Sequence, residues 1–497
     1  MLGASDVFIS PEGIEREENK GRVAGFFDRN KVAKQMKYTA TLESIRRHRV
    51  PDWYHDCKLG IFVHWGLYSV PGWAACREEP ARIVLERGFD AYFRENPYAE
   101  WYLNTLKFED GPTRAYHNRT FGADFAYEDF QPIFEAESQR WNPTDWANLF
   151  HKAGAGYVVF TAKHTDGYLL WPSVVGNLKR PGYASKRDLV GELSAAVRAA
   201  GIRMGIYYTG GMDWLLNPER IDSFHKVYST VVQAPEHVAY ANAHWRELID
   251  RYRPSVMWGD IMYPGAANIP ELFAYYYNRV PGGVINDRFG TDFRVTRRPG
   301  LNPPGIHYDY LTPEYSSFDD IQEEKWETCR GVGSSFGYNR EDDETSYLSA
   351  AAVIRMFVDI VSKNGNLLLN VGPRSDGSIH QLQQQCLLGL GAWLEINDEA
   401  IRGTRPWIRA ATTTADGIAV RFTQKHDTLY AILLGRPAGT EVRIGGVTAV
   451  PGSPVRLVGY DRNLEWSHNG DDLAIRLPSA LPEQAAYALR IKPTITR

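Results

Sequence analysis

The chain has 497 residues, 43% hydrophobic and 23% charged, the balance of a globular protein and neither a disordered nor a membrane-embedded one. Its length exceeds one ordinary core and predicts two or three domains. A net charge of −4 and a pI near 6.4 give no basic footprint for nucleic acid or for an anionic membrane.

Residues 1–45 read as an N-terminal arm, polar and without a clear period (REENKGR, DRNKVAKQ). The start, MLGASDVFISPEG, lacks the basic and apolar segments of a signal peptide, and no run reaches the length of a membrane span, so a cytoplasmic protein is expected. Cys57, Cys76, Cys329 and Cys386 show no CxxC spacing, which argues against a disulfide framework and against a zinc site.

The first buried run, 59–63, is closed by His64, Trp65 and Gly66. A mixed helical region over 78–150 contains NPYAEWYLN, with Glu100 beside Trp101. The strand 156–164 stops at His164 and Asp166. A helix at 188–200 ends at Gly201, and the strand 202–209 follows. Apolar groups at 238, 241, 245, 248, 249 and 252 mark one helix face. The strand 255–259 leads to Asp260, the helix 269–280 follows, and the next strand is 282–287. The loop 288–305 carries Arg288, Arg294, Arg297 and Arg298 and reads either as shaping the leaving-group side of the site or as a solvated surface loop. Two further runs, IHYDYLTPEY (306–315) and GVGSSFGYN (331–339), carry strands near 306–311 and 333–337. They are followed by a helix at 346–363, the strand 366–373 and a helix at 382–396.

Eight buried strands with intervening helices predict a (β/α)8 TIM-like barrel over 46–402. A doubly wound open sheet is the alternative, but GLYSVPGW after the first strand is not a Gly-rich phosphate loop. Residues 403–497 change to strict alternation (IAVRF, VRI, VRL, LAIRL, YALRI), with Asn469-Gly470 as a hairpin signal, and predict an all-β sandwich domain.

In a barrel the residues just past the strands share one mouth. Here they are His64, His164, Tyr207 or Tyr208, Asp260, Arg288, Glu314, Asn339 and Asn370. Each alone reads as a structural histidine, a cap or a turn residue. Together they place two carboxylates, Asp260 and Glu314, at one mouth, as glycoside hydrolysis requires. Metal chemistry is the rival use, but no HxH or HExxH spacing announces it, and no GxSxG elbow announces a serine nucleophile.

GIFVHWGLYSVPGW, NPYAEWYLN, VVFTAKHTDGYLLWPS, MGIYYTGGMDW, VMWGDIMYP, INDRFG, TPEY, SSFGYNR and NLLLNVGPRSDGSI resemble, in order over about 58–400, the motifs of glycoside hydrolase family 29, the α-L-fucosidases. The resemblance implies a retaining, exo-acting enzyme that needs no cofactor or metal and acts on a fucosylated oligosaccharide or glycoconjugate. It implies Asp260 as nucleophile and Glu314, in TPEY, as general acid/base, with Glu327 of WETC the next carboxylate to test. His64, Glu100, Trp101, His164, Tyr207 and Arg288 match residues that hold the sugar hydroxyls or orient the nucleophile. Phe62, Trp258 and Phe336 match the apolar wall against the sugar's methyl group. One departure is KHTDG, with Thr165 where the family has a second histidine, so one hydroxyl contact or the choice of sugar is open. A glycosidase for a related sugar, a fucose-binding protein without turnover and a metal-dependent hydrolase are the alternatives. Homo-oligomer formation is left open.

Overall fold

The computed structural model describes residues 37–290 and 306–494. Most of the expected arm, and Arg294, Arg297 and Arg298 of the loop, lie outside the described residues. Seven parallel strands form one sheet: β1 (Leu59–Val63), β2 (Tyr157–Lys163), β3 (Arg203–Thr209), β4 (Val256–Asp260), β5 (Val284–Ile285), β6 (Trp326–Gly331) and β7 (Gly365–Val371). Their order is β5-β4-β3-β2-β1-β7-β6. This is the TIM-like arrangement, with the strands wrapped by helices.

The strand expected near 306–311 makes no continuous ladder, but its end and the residues after it stand between the two sheet edges. Tyr310 bridges Asn286 after β5, while Leu311 and Glu314 bridge Trp326 and Cys329 of β6, all parallel. It thus supplies the eighth stave, interrupted at Pro313, which has no N–H to donate. The strand expected near 333–337 is a correction. The strand here is β6, 326–331, and the residues after it form the loop that follows the strand. That loop is buried, which explains its apolar look, but beyond the Val332 N–H bond to the Asn370 carbonyl it makes no ladder with the sheet.

Strand parity sorts the side chains into two cores. Phe62, Val159, Tyr207, Trp258, Tyr310, Cys329 and Leu368 fill the barrel interior. The alternate residues Ile61, Val158, Ile206, Met257 and Leu369 face the helical layer. Each such burial is worth roughly 1.5–3 kcal/mol.

The helices packed around the barrel and its mouth include α1 (Pro80–Arg94), α2 (Pro143–Lys152), α3 (Leu189–Ala199), α4 (Phe224–Ser229), α5 (Pro235–Tyr252), α6 (Ile269–Arg279), α7 (Ala350–Ser362) and α8 (Gln381–Asn397). Sequence caps set their ends. Asp188 accepts from Gly191 N at the start of α3, and Gly201, at φ +78°, follows its end. The helices α1 and α4 are additions to the strand–helix repeat. No helix among the described residues is long and apolar enough to cross a membrane.

The chain after α8 forms two antiparallel sheets. One has six strands and starts at Arg405–Thr413; the other has three and contains the expected hairpin, in which Asn469 pairs with Asp472 around Gly470 at φ +63°. Val442, Ile444, Leu473 and Ile475 of the small sheet share a core with Phe422, Leu429 and Leu433 of the large one.

Candidate active site

The C-terminal strand ends open into one pocket, and all eleven residues expected for the site line it: Phe62, His64, Glu100, Trp101, His164, Tyr207, Trp258, Asp260, Arg288, Glu314 and Phe336. Parity puts Trp258 and Asp260 on the inner face of β4 and resolves the Tyr207–Tyr208 pair. Tyr207 points inward and donates its hydroxyl to Asp260 Oδ2 at 2.8 Å, whereas the Tyr208 hydroxyl pairs with His244 on α5 at 3.0 Å.

Arg288, just past β5, ties the carboxylates together. Its Nη1 donates to Asp260 Oδ1 at 2.9 Å and its Nη2 to Glu314 Oε2 at 3.1 Å. Its Nε donates to the Thr312 hydroxyl at 2.9 Å, and its guanidinium lies 4.7 Å from the Trp258 ring centroid. The other oxygen of Glu314, Oε1, accepts from the Tyr98 hydroxyl at 2.6 Å. The residues after both carboxylates are left-handed: Ile261 at φ +48°, Met262 at +65° and Tyr315 at +48°. Non-glycine residues in this region, the β-branched Ile261 above all, are strained by roughly 1–3 kcal/mol. Strain therefore sits beside each of the two groups.

The histidines are buried. Burial lowers His64 to about 3, against a hydrogen bond between its Nδ1 and Asn370 Oδ1 at 2.7 Å, and it lowers His164 well below the usual range, helped by the neighbouring His64. Both rings are therefore neutral at ordinary pH. Asn370 also donates to the Phe336 carbonyl at 2.6 Å, so this strand-end residue holds two pocket residues without lining the pocket. Asn339 serves the loop instead, accepting from Ala74 N. Thr165 does not line the pocket; its hydroxyl pairs with His164 Nδ1 at 2.9 Å. Burial raises the Glu100 carboxyl to about 8, although Gly337 N donates to its Oε2 at 2.7 Å.

The apolar wall is a ring cluster. Phe62 packs on Trp258 at 5.0 Å between centroids and on Phe336 at 6.2 Å, and Tyr207 stacks on Trp258 at 5.4 Å. Glu327 does not belong to the pocket. It lies beneath Trp258 in the barrel interior, where its carboxylate accepts from Trp258 Nε1 at 3.1 Å, Tyr54 at 2.8 Å and Tyr157. Sequence reasoning missed Tyr98, Cys329, Thr312, Asp287 and the mouth residues from α1 and α4. Tyr98 stands two residues before Glu100 in the NPYAEWYLN motif, but nothing local marks a partner 216 positions away.

Among the described residues, one group has donor atoms placed for a metal: His48, His307 and Asp309, within 4.8 Å of one another. None of the three lines the pocket. Asp309 Oδ1 already pairs with His48 Nδ1 at 2.8 Å, while its Oδ2 accepts from the Tyr277 hydroxyl and from Ile285 N. These contacts satisfy the group as a network between α6 and the barrel wall.

The chain matches the family model described as alpha-L-fucosidase over residues 26–399, and that of the alpha-L-fucosidase C-terminal domain over 413–492. The tissue alpha-L-fucosidase of Bos taurus is 32% identical over 475 residues, covering 92% of this chain and 91% of its own. A Thermotoga maritima alpha-L-fucosynthase in complex with α-L-Fuc-(1-2)-β-L-Fuc-N3 superposes with a TM-score of 0.82 at 40% identity, covering 92% of this chain and 100% of the other. The T. maritima alpha-fucosidase in complex with a mechanism-based inhibitor gives the same TM-score, identity and coverage.

Proposed function

This chain belongs to the α-L-fucosidase family, and from that premise we propose that it hydrolyses terminal α-L-fucose from fucosylated glycans or glycosides with retention of configuration. In the first step Asp260 attacks C1 of the sugar. The Asp260 oxygen–C1 bond forms, the bond from C1 to the leaving oxygen breaks, and Glu314 gives that oxygen its proton. In the second step Glu314 takes a proton from water, which attacks C1 and releases Asp260. The observation that carries this reading is the Arg288 guanidinium held between the Asp260 and Glu314 carboxylates at the barrel mouth.

The surrounding groups fit these roles. Arg288 and Tyr207 give Asp260 two donors, which favour its anion and aim its oxygens. His64 and His164, kept neutral by burial, each offer a ring nitrogen to sugar hydroxyls. Glu100, protonated below about pH 8, offers a carboxylic donor. Phe62, Trp258 and Phe336 leave a buried CH2OH group without a partner, at about 1–3 kcal/mol, and so favour the methyl of fucose.

The test is release of nitrophenol from 4-nitrophenyl α-L-fucoside by the wild type and by Asp260→Gly, with and without azide. We expect an active wild type and a nearly inactive variant. Azide should restore turnover of the variant and yield β-fucosyl azide. A variant that keeps most of its activity would overturn the assignment of Asp260.

A further inference from the structure

We propose that the pocket mouth is a leaving-group subsite for a flat, apolar aglycone, centred on Phe224; this rests on the fucoside reading of the inner pocket. The inner pocket is built largely from strand ends, and among the described residues its outer wall is supplied by two helices outside the strand–helix repeat. Tyr92 and Phe93 of α1 and Phe224, Val227 and Tyr228 of α4 line it.

Phe224 is the centre of this wall. Its ring meets Phe89 edge-on at 5.1 Å and Phe93 edge-on at 5.2 Å, and lies nearly parallel to Tyr92 at 6.1 Å. Phe224 is 39% exposed and Phe89 53%, so apolar ring surface faces solvent at the entrance. The platform is not a loose surface patch. Phe93 sits in a buried cluster with Phe108, Met212, Trp214 and Ile221, and Trp214 packs edge-on at 5.5 Å against Trp101, which lines the inner pocket. Platform and sugar site are thereby held in one register.

Covalent geometry commits the occupant. With C1 of the sugar at Asp260 and Glu314, the leaving group must extend through the mouth. Its chemistry follows from what the wall offers. Among the described residues, α1 and α4 contribute aromatic and aliphatic side chains to the pocket, with phenols as their polar groups and no carboxylate, ammonium or guanidinium. A sugar at this position brings several hydroxyls that need directed partners. An aryl group needs none and gains edge-on and stacked ring contacts.

The test compares kcat/KM for methyl α-L-fucoside, 2-phenylethyl α-L-fucoside and an α-L-fucosyl-galactose disaccharide. All three leave as alcohols protonated by Glu314; methanol and 2-phenylethanol have similar acidity, so their ratio reads contacts at the mouth, whereas the more acidic sugar hydroxyl favours the disaccharide chemically. The phenylethyl substrate should exceed both others, with an advantage over methyl of about tenfold, mostly in KM. Phe224→Ala should shrink the phenylethyl-to-methyl ratio to within about twofold, and Phe224→Trp should restore it. A wild-type ratio near one, preference for the disaccharide, or a ratio unchanged in Phe224→Ala would overturn the subsite. No turnover of any of the three fucosides would overturn the parent reading and the subsite with it.

Discussion

Arg288 Nη1 lies 2.9 Å from Asp260 Oδ1, an ion pair across 28 residues in which both side chains are mostly buried. The same guanidinium reaches Glu314, so a forked cation sits between two carboxylates. A lysine supplies one point charge and cannot serve both in that geometry. Arg288→Lys should lower kcat/KM for 4-nitrophenyl α-L-fucoside by roughly 10²–10³-fold. An activity within threefold of wild type, about 0.65 kcal/mol, would mean that the bridge is structural only.

Glu327 and Glu314 should behave oppositely. Glu327 accepts from three buried donors, and glutamine has a single acceptor oxygen to offer them. Glu327→Gln should therefore destabilise the fold by about 1–3 kcal/mol, seen as a lower Tm. Glu314→Gln should leave Tm nearly unchanged and remove most turnover. The reverse pattern would exchange the two assignments.

Glu100 supplies a pH dependence. Its folded pKa is about 8 against an ordinary 4.5, so the native state holds a proton that the unfolded chain has released. The stability tied to that proton is fully present below the unfolded value and is lost as pH rises through the folded value, over about pH 4.5–8. In the sugar-binding role proposed for it, the carboxyl would also lose its donor above about pH 8. Calorimetric fucose affinity should fall there in the wild type, and that fall should be much smaller in Glu100→Gln. Identical profiles would remove Glu100 from sugar binding.

Thr165 replaces the second histidine of the family pattern, and its hydroxyl holds His164 Nδ1 from outside the pocket. We propose that this bond sets the ring's tautomer and angle. Thr165→Val keeps the shape and removes that bond. We expect fucose binding to weaken by about 0.5–1.5 kcal/mol, read as a rise in KM with little change in kcat. A variant with wild-type KM would leave the hydroxyl without a role in binding.

How much of this was legible in the chain varies by element. Strands β1 to β4 and β7 appear as short buried runs because they are covered on both faces, and α3 shows its Asp188 start and Gly201 stop. β6 escaped because Glu327 and Arg330 break its apolar look, although the glutamate is satisfied inside the barrel by residues from other elements. The loop after β6 looked like a strand for the converse reason. It is buried without being paired, and composition reports burial, not hydrogen bonding.

The alternation of buried runs and helices, and the polar residues at the strand ends, can be read from the chain alone, because burial and capping are written within a few residues. Which of those residues meet depends on the assembled fold. Tyr98 reaches Glu314 across 216 positions, and His64 reaches Asn370 across 306. Such bonds depend on the relative stagger of distant strands and on closure of the barrel by 310–314, which no local period encodes. The same holds for the aromatic mouth, where two helices far apart in the chain place Phe89, Phe93 and Phe224 against one another.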